Sequence, residues 1–383
     1  MSSSPAILVL EDGTTFTGLS FGAIGQTIGE AVFATGMTGY QETLTDPSYH
    51  RQIVVATAVH IGNTGWNNDD GENFGHSGAG RIWVAGFVVR EPSPRPSNWR
   101  SRCSLDDEMV AQGVVGICGV DTRALTVRLR ESGAMRVGIS SLPNADPNQL
   151  LAAVLASPPM LGADLAKQVS TPQPYTVAAD QPRFTVASID LGIKASIVKL
   201  MAAHAMTVHV LPGDATISQI EALHPDGVFF PNGPGDPATA KATVRLAQQV
   251  LDAGWPLFGI CFGHQVFGQA LGFETYKLRF GHHGINQPVI DLATRKVQIT
   301  AHNHGFAVDA PREGVTNTDF GQVSVSHLCL NDSVVEGLVL SRDGVRKAFS
   351  VQYHPEAAAG PHDARHLFGQ FADLMAASEV QHA

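Results

Sequence analysis

Charge is scarce in this chain: 16% of its 383 residues are Asp, Glu, Lys or Arg, against about 25% in an average soluble protein. With 44% apolar residues, the composition excludes wholesale disorder, because the chain has ample surface to bury. The net charge is -10, spread evenly: residues 1–183 carry 12 basic and 17 acidic side chains, and the remainder 13 and 18. No basic face or tail is visible in the sequence, so no nucleic-acid partner is expected. Cysteine is scarce as well. Cys103, Cys118, Cys261 and Cys329 lie far apart with no CxxC pair, which argues against a zinc ribbon or a secreted disulfide scaffold and for a reducing, cytoplasmic compartment. The N-terminus lacks the positive segment of a signal peptide. One stretch, 253–273, has no charge over a bilayer's length, but five glycines, Pro256, His264, Gln265 and Gln269 make it a buried strand, turn and helix. No membrane role is expected. A phosphate-binding G-x-x-x-x-G-K-[ST] loop is also missing, so this chain supplies no ATP site of that kind.

A Pro-rich stretch from Ser157 to Pro182 reads as a connection, placing a boundary near Arg183. Residues 1–183 and 184–383 are therefore expected as two domains. Beyond the boundary, β-rich runs (184–190, 206–211, 226–230, 255–260) alternate with helical patterns (194–205, 218–223, 238–253, 264–271). That order predicts a doubly wound, mostly parallel α/β sheet with functional loops at the strands' carboxyl ends. Extended segments follow Phe273, and a last helix starts near His362. The first part, with strands at 6–10, 52–58 and 82–89 and helices at 106–112 and 123–132, lacks regular alternation and reads as a mixed α/β domain.

Three segments carry chemistry. Gly259-Ile-Cys261-Phe-Gly263 has the G-x-nucleophile-x-G form in which a sharp turn lifts a nucleophile between strand and helix. The following helix would aim its free N–H groups and positive dipole end at the sulfur, favouring a thiolate. The same letters also suit a small buried cysteine between core glycines. His354-Pro-Glu356 offers a base with a carboxylate two residues on, on the same side of an extended segment. Alone it equally describes a surface histidine. Pro231-Asn-Gly-Pro-Gly-Asp-Pro237 is a loop whose backbone can approach a ligand; with Pro234 lacking an N–H, donors must come from Gly233 or Gly235, paired with Phe262.

Together, Gly259 to Gln265 and His354 to Glu356 resemble the triad class of glutamine amidotransferases. Phe280-Gly-His-His-Gly-Ile-Asn286, Thr300-Ala-His-Asn-His-Gly-Phe306, Gly36-Met-Thr-Gly-Tyr40 running on to Tyr49, and Val120-Asp-Thr-Arg-Ala-Leu125 narrow this to a resemblance to the carbamoyl-phosphate synthase small-chain family over nearly the whole sequence. The resemblance implies Cys261 as nucleophile, His354 as base and then acid, and Glu356 as its orienter. It implies L-glutamine held by Gly36, Gly233, Gly235, Phe262, Gln265, Asn303, Gly305 and Phe306, with the Gly233 and Phe262 amides facing the oxyanion. It also implies a partner, the large chain, holding ATP and Mg, with no cofactor in this chain. Gly36 stands where relatives often have serine and Phe262 where they often have leucine. The segment Asp69 to Gly80 is longer than usual and has no assigned role.

Two other readings remain at this point: a non-catalytic module of the same fold, and an amidotransferase serving another synthase. Sixteen histidines raise a metal question, since His302 and His304 share a strand face. No third ligand at metal spacing accompanies them in the sequence, and no metal site is expected. Their His-Asn-His letters match a nuclease signature only by chance.

Overall fold

The computed structural model describes residues 4–73 and 80–382. Residues 74–79, in the middle of the long Asp69 to Gly80 segment, lie outside the described residues. The chain divides into two compact units, Met1–Ala163 with Arg279–Gly284, and Asp164–Leu278 with Ile285–Ala383.

The first unit contains strands β1 (Pro5–Leu10), β2 (Thr15–Gly22), β3 (Gln26–Ala34), β4 (Gln52–Ala56), β5 (His60–Ile61), β6 (Gly86–Val88), β7 (Glu91–Pro92), β8 (Val115–Cys118) and β9 (Arg136–Ser140). Its helices are α1 (Tyr40–Thr45), α2 (Leu105–Ala111), α3 (Thr122–Ser132) and α4 (Pro147–Ala156). Seven strands close into a barrel in the order β1-β2-β8-β6-β4-β3-β9, with β9 pairing back onto β1. Parallel pairs β3–β4, β4–β6 and β6–β8 sit among antiparallel ones, so the mixed α/β expectation takes the form of a barrel. Closure was not readable because it depends on pairings between residues far apart in the chain, such as Ile7 with Ser140. The strand expected over 82–89 is ordered as strand only at Gly86–Val88. Ser104 and Asp107 cap α2 reciprocally and Asp121 caps α3, which explains why both helices were legible.

The second unit holds β10 (Tyr175–Val177), β11 (Phe184–Ile189), β12 (Met206–Leu211), β13 (Gly227–Phe230), β14 (Leu257–Ile260), β15 (Glu274–Asp291), β16 (Val297–Asp309), β17 (Thr316–Thr318), β18 (Gly321–Cys329), β19 (Val335–Arg342) and β20 (Val345–Val351). Arg279–Gly284 of β15 belong with the first unit. Its helices are α5 (Ala166–Val169), α6 (Ala195–Ala203), α7 (Ile217–Glu221), α8 (Lys241–Asp252), α9 (Phe262–Ala270) and α10 (His366–His382). One sheet runs β10-β12-β11-β13-β14-β20-β19-β16-β15-β18-β17. Strands β12, β11, β13, β14 and β20 pair in parallel; the flanking pairs that follow are antiparallel. The parallel description therefore fits the half that carries the loops of interest. Its strands β13 and β14 are buried at every position, the mark of a sheet covered on both faces. Residues 164–183, expected as linker to the first domain, pack here instead: β10 pairs with β12, and Thr171 N donates to Asp190 Oδ2 at 2.7 Å.

Among the described residues no helix is long and apolar enough to cross a membrane. The uncharged 253–273 stretch forms β14, a turn and α9.

Candidate active site

Strand β14 ends at Ile260, and Cys261 turns the chain into α9 with φ 54° and ψ -104°. A non-glycine residue there is strained, and such strain persists only where the surroundings enforce it. The glycines on either side explain how. A Cβ on Gly263 would come within 1.9 Å of the Phe230 carbonyl oxygen, and one on Gly259 within 2.7 Å of the Gly263 oxygen. Gly263 N donates to Pro231 O at 2.9 Å and Cys261 N to Val351 O at 2.9 Å, which anchors the turn to the ends of β13 and β20. Helix α9 starts at Phe262, two residues earlier than the sequence pattern indicated, so its N-terminus lies directly at the cysteine.

His354 reaches the same place from the residues after β20. Its N–H donates to Ala301 O at 2.8 Å, which docks it on β16. The Cys261 Sγ lies 3.6 Å from Asn303 O on that strand. His354 Nδ1 is 2.7 Å from Glu356 Oε1, and both side chains are buried. Lys194 Nζ lies 3.0 Å from the same oxygen. Burial raises the Glu356 carboxyl, but the Lys194 charge and then the His354 charge outweigh it and bring its pKa down to about 2. Burial likewise opposes charge on His354, and the Glu356 carboxylate, followed by the nearby Cys261 sulfur, carries the imidazole up to about 10. The ring's Nε2 makes no hydrogen bond that is closed in both distance and angle.

Lys194 was missed by sequence reasoning, which took it as an ordinary helix start. It sits in a turn built by Asp190, whose Oδ1 accepts from Gly192 N and Ile193 N at 2.9 Å each. Asn232 locks that turn to the loop after β13, accepting from Lys194 N at 3.3 Å and donating to Gly192 O at 2.8 Å. The readable signal was a lone lysine in the apolar run that follows strand β11.

The residues implied for glutamine fall as follows. Gly233 and Gly235 lie in the loop after β13; a Cβ on Gly233 would meet Leu191 O at 2.3 Å, and Gly235 has φ 94°. Phe262 and Gln265 are in α9, and Asn303, Gly305 and Phe306 are in β16. Gln265 Nε2 donates to Phe306 O at 2.9 Å and Gln352 Oε1 at 3.0 Å. Gly36 lies in the first unit, in the loop after β3. His302 and His304 acquire a third neighbour that spacing did not disclose: Glu336, from β19, with one potential ligand atom of each within 4.8 Å of the others.

A family model for the carbamoyl-phosphate synthase small chain, CPSase domain, matches residues 8–139, and one for class-I glutamine amidotransferase matches residues 187–374. The chain is similar to the carbamoyl phosphate synthase small chain of Streptomyces coelicolor, 61% identical over 97% of this chain and 96% of the relative. It is similar to that of Mycobacterium tuberculosis H37Rv, 59% identical over 97% and 99%.

Proposed function

The chain belongs to the carbamoyl-phosphate synthase small-chain family, and on that premise we propose how its residues hydrolyse glutamine and for whom. Its amidotransferase domain makes it the glutaminase subunit. The observation that carries the assignment of roles is the buried Lys194–Glu356–His354 chain ending beside a cysteine on a strained turn.

In this reading the Cys261 thiolate attacks the side-chain amide carbon of L-glutamine. The tetrahedral oxyanion is met by the Gly233 and Phe262 amides, which cost no reorganisation at the moment of reaction. Imidazolium His354 gives its proton to the amide nitrogen, the C–N bond breaks, and ammonia leaves. Now neutral, His354 takes a proton from water as the hydroxide attacks the γ-glutamyl thioester. Glutamate departs and the proton returns, so the net reaction is glutamine plus water to glutamate plus ammonia. Glu356 keeps the ring oriented and charged, and Lys194 keeps Glu356 ionised. Gly235, Gln265, Asn303, Gly305 and Phe306 hold the substrate in this reading.

Ammonia serves synthesis only while unprotonated, which favours passage through protein to a second centre. That centre is assigned to the large chain, using bicarbonate, ATP and Mg to make carbamoyl phosphate for arginine and pyrimidine biosynthesis in the cytoplasm, with the first unit as the docking part of a heterodimer. No cofactor is proposed for this chain itself. Co-expression with the large chain tests the reading: Cys261→Ser should abolish carbamoyl phosphate formation from glutamine while added ammonia still supports it. Retained glutamine use, or co-purification with a different synthase, would refute it.

A further inference from the structure

Thr300 Oγ lies 2.8 Å from Gln287 O and 2.7 Å from His302 Nε2. A carbonyl only accepts, so the single hydroxyl proton goes to Gln287, and His302 Nε2 must donate to Thr300. At the other end His304 Nδ1 lies 2.8 Å from Phe306 O and must donate there. Between the rings, His302 Nδ1 and His304 Nε2 stand 3.1 Å apart, which requires one more proton. Two imidazoles therefore hold three protons and carry one positive charge. Glu336 supplies the balance: its oxygens lie 3.7 Å from His302 Nδ1 and 3.9 Å from His304 Nε2, and all three side chains are buried. A buried charge is tolerated only when paired in this way.

The unit sits on the strand that lines the candidate site. The Phe306 oxygen accepts from His304 and also from Gln265, four residues along from Cys261. Asn303, between the two histidines, presents its carbonyl to the Cys261 sulfur. Glu336 is itself tied in, its backbone carbonyl accepting from Gln352 N at 2.9 Å, and Gln352 bonds Gln265.

We propose that Glu336, His302 and His304 form a charge-neutral, proton-sharing unit that positions the Asn303–Phe306 segment against Cys261 for the incoming glutamine amide. Glu336 and His302 are positioning residues for the reaction, and in this the inference rests on the glutaminase reading; the proton count does not. The inner nitrogens face each other across a proton, and the outer ones bond Thr300 and Phe306.

Histidine-selective 15N NMR of the full chain, with ring signals assigned through His302→Gln and His304→Gln, tests the proton count. Three ring N–H groups across the two histidines at neutral pH support it. Two, with an unprotonated inner nitrogen, overturn it, as does stoichiometric zinc in the purified protein that is lost in Glu336→Gln. Kinetics test the positioning. Labelling by 6-diazo-5-oxo-L-norleucine, a glutamine-like electrophile, should weaken about tenfold in Glu336→Gln, through half-saturation rather than limiting rate. Adding His302→Gln, which removes the uncompensated charge, should restore most of it. Additive losses, or none, would overturn the positioning role. A wild-type chain that shows three protons but neither labels nor hydrolyses glutamine would sink the glutaminase reading and leave the proton-sharing unit standing.

Discussion

His354 Nδ1 and Glu356 Oε1 lie 2.7 Å apart with neither side chain reaching solvent. Two residues separated by a single proline thus form a buried ion pair, and its charge state governs what the imidazole can do for Cys261. Glu356→Gln keeps the shape and removes the charge that carries His354 up to about 10. Glutaminase turnover should fall by roughly 10²–10⁴-fold, and the alkaline limb of the pH–rate profile should move to lower pH. Steady-state assays across pH check both.

Lys194→Met should act on the same chain from its far end. The Glu356 carboxyl would lose the larger of the two charges that depress it, so turnover should fall, though less than in Glu356→Gln. Lys194 is nearly buried and Glu356 fully so; removing one partner of a buried pair costs about 3–5 kcal/mol. Denaturant titration should show that loss in the midpoint.

The pair also sets a pH window for stability. His354 has a folded value of about 10 against an ordinary 6.5, so its contribution is complete below 6.5 and lost as pH rises through 10. Glu356 has a folded value of about 2 against an ordinary 4.5, so its contribution is complete above 4.5 and lost as pH falls through 2. The stability gap between the native chain and His354→Asn should therefore be widest between about pH 4.5 and 6.5 and narrow on either side. Urea midpoints measured across that range check it.

Gly263→Ala should be severe, because its Cβ would stand 1.9 Å from the Phe230 oxygen, a backbone atom that cannot swing aside. We expect a loss of at least about 2 kcal/mol and no labelling of Cys261. Gly254→Ala, at a glycine with nothing within 4 Å of its added Cβ but with φ 80°, should show only the milder strain of its backbone and keep labelling intact.

The second unit was legible because its parallel strands are short apolar runs separated by helical periodicity, and the elbow because tight backbone approach demands glycine on both sides of Cys261. Lys194 and Glu336 were not legible. Each acts through a partner more than 30 positions away, Glu356 and His302 respectively, and neither spacing nor residue type reports such a meeting. Barrel closure in the first unit escaped for the same reason: adjacency of β1 and β9 is a property of the finished sheet. Residues 164–183 looked like linker because proline and polar residues mark irregular backbone, yet irregular backbone can pack, as Thr171 does on Asp190.

The central claim is that Cys261 is the nucleophile, and trapping the covalent intermediate tests it most directly. The chain, mixed with radiolabelled glutamine and quenched in acid within a turnover, should carry one γ-glutamyl group, mapped by peptide mass spectrometry to Cys261 and absent in Cys261→Ser. Label on Cys103, Cys118 or Cys329, or label that survives in Cys261→Ser, would contradict the account.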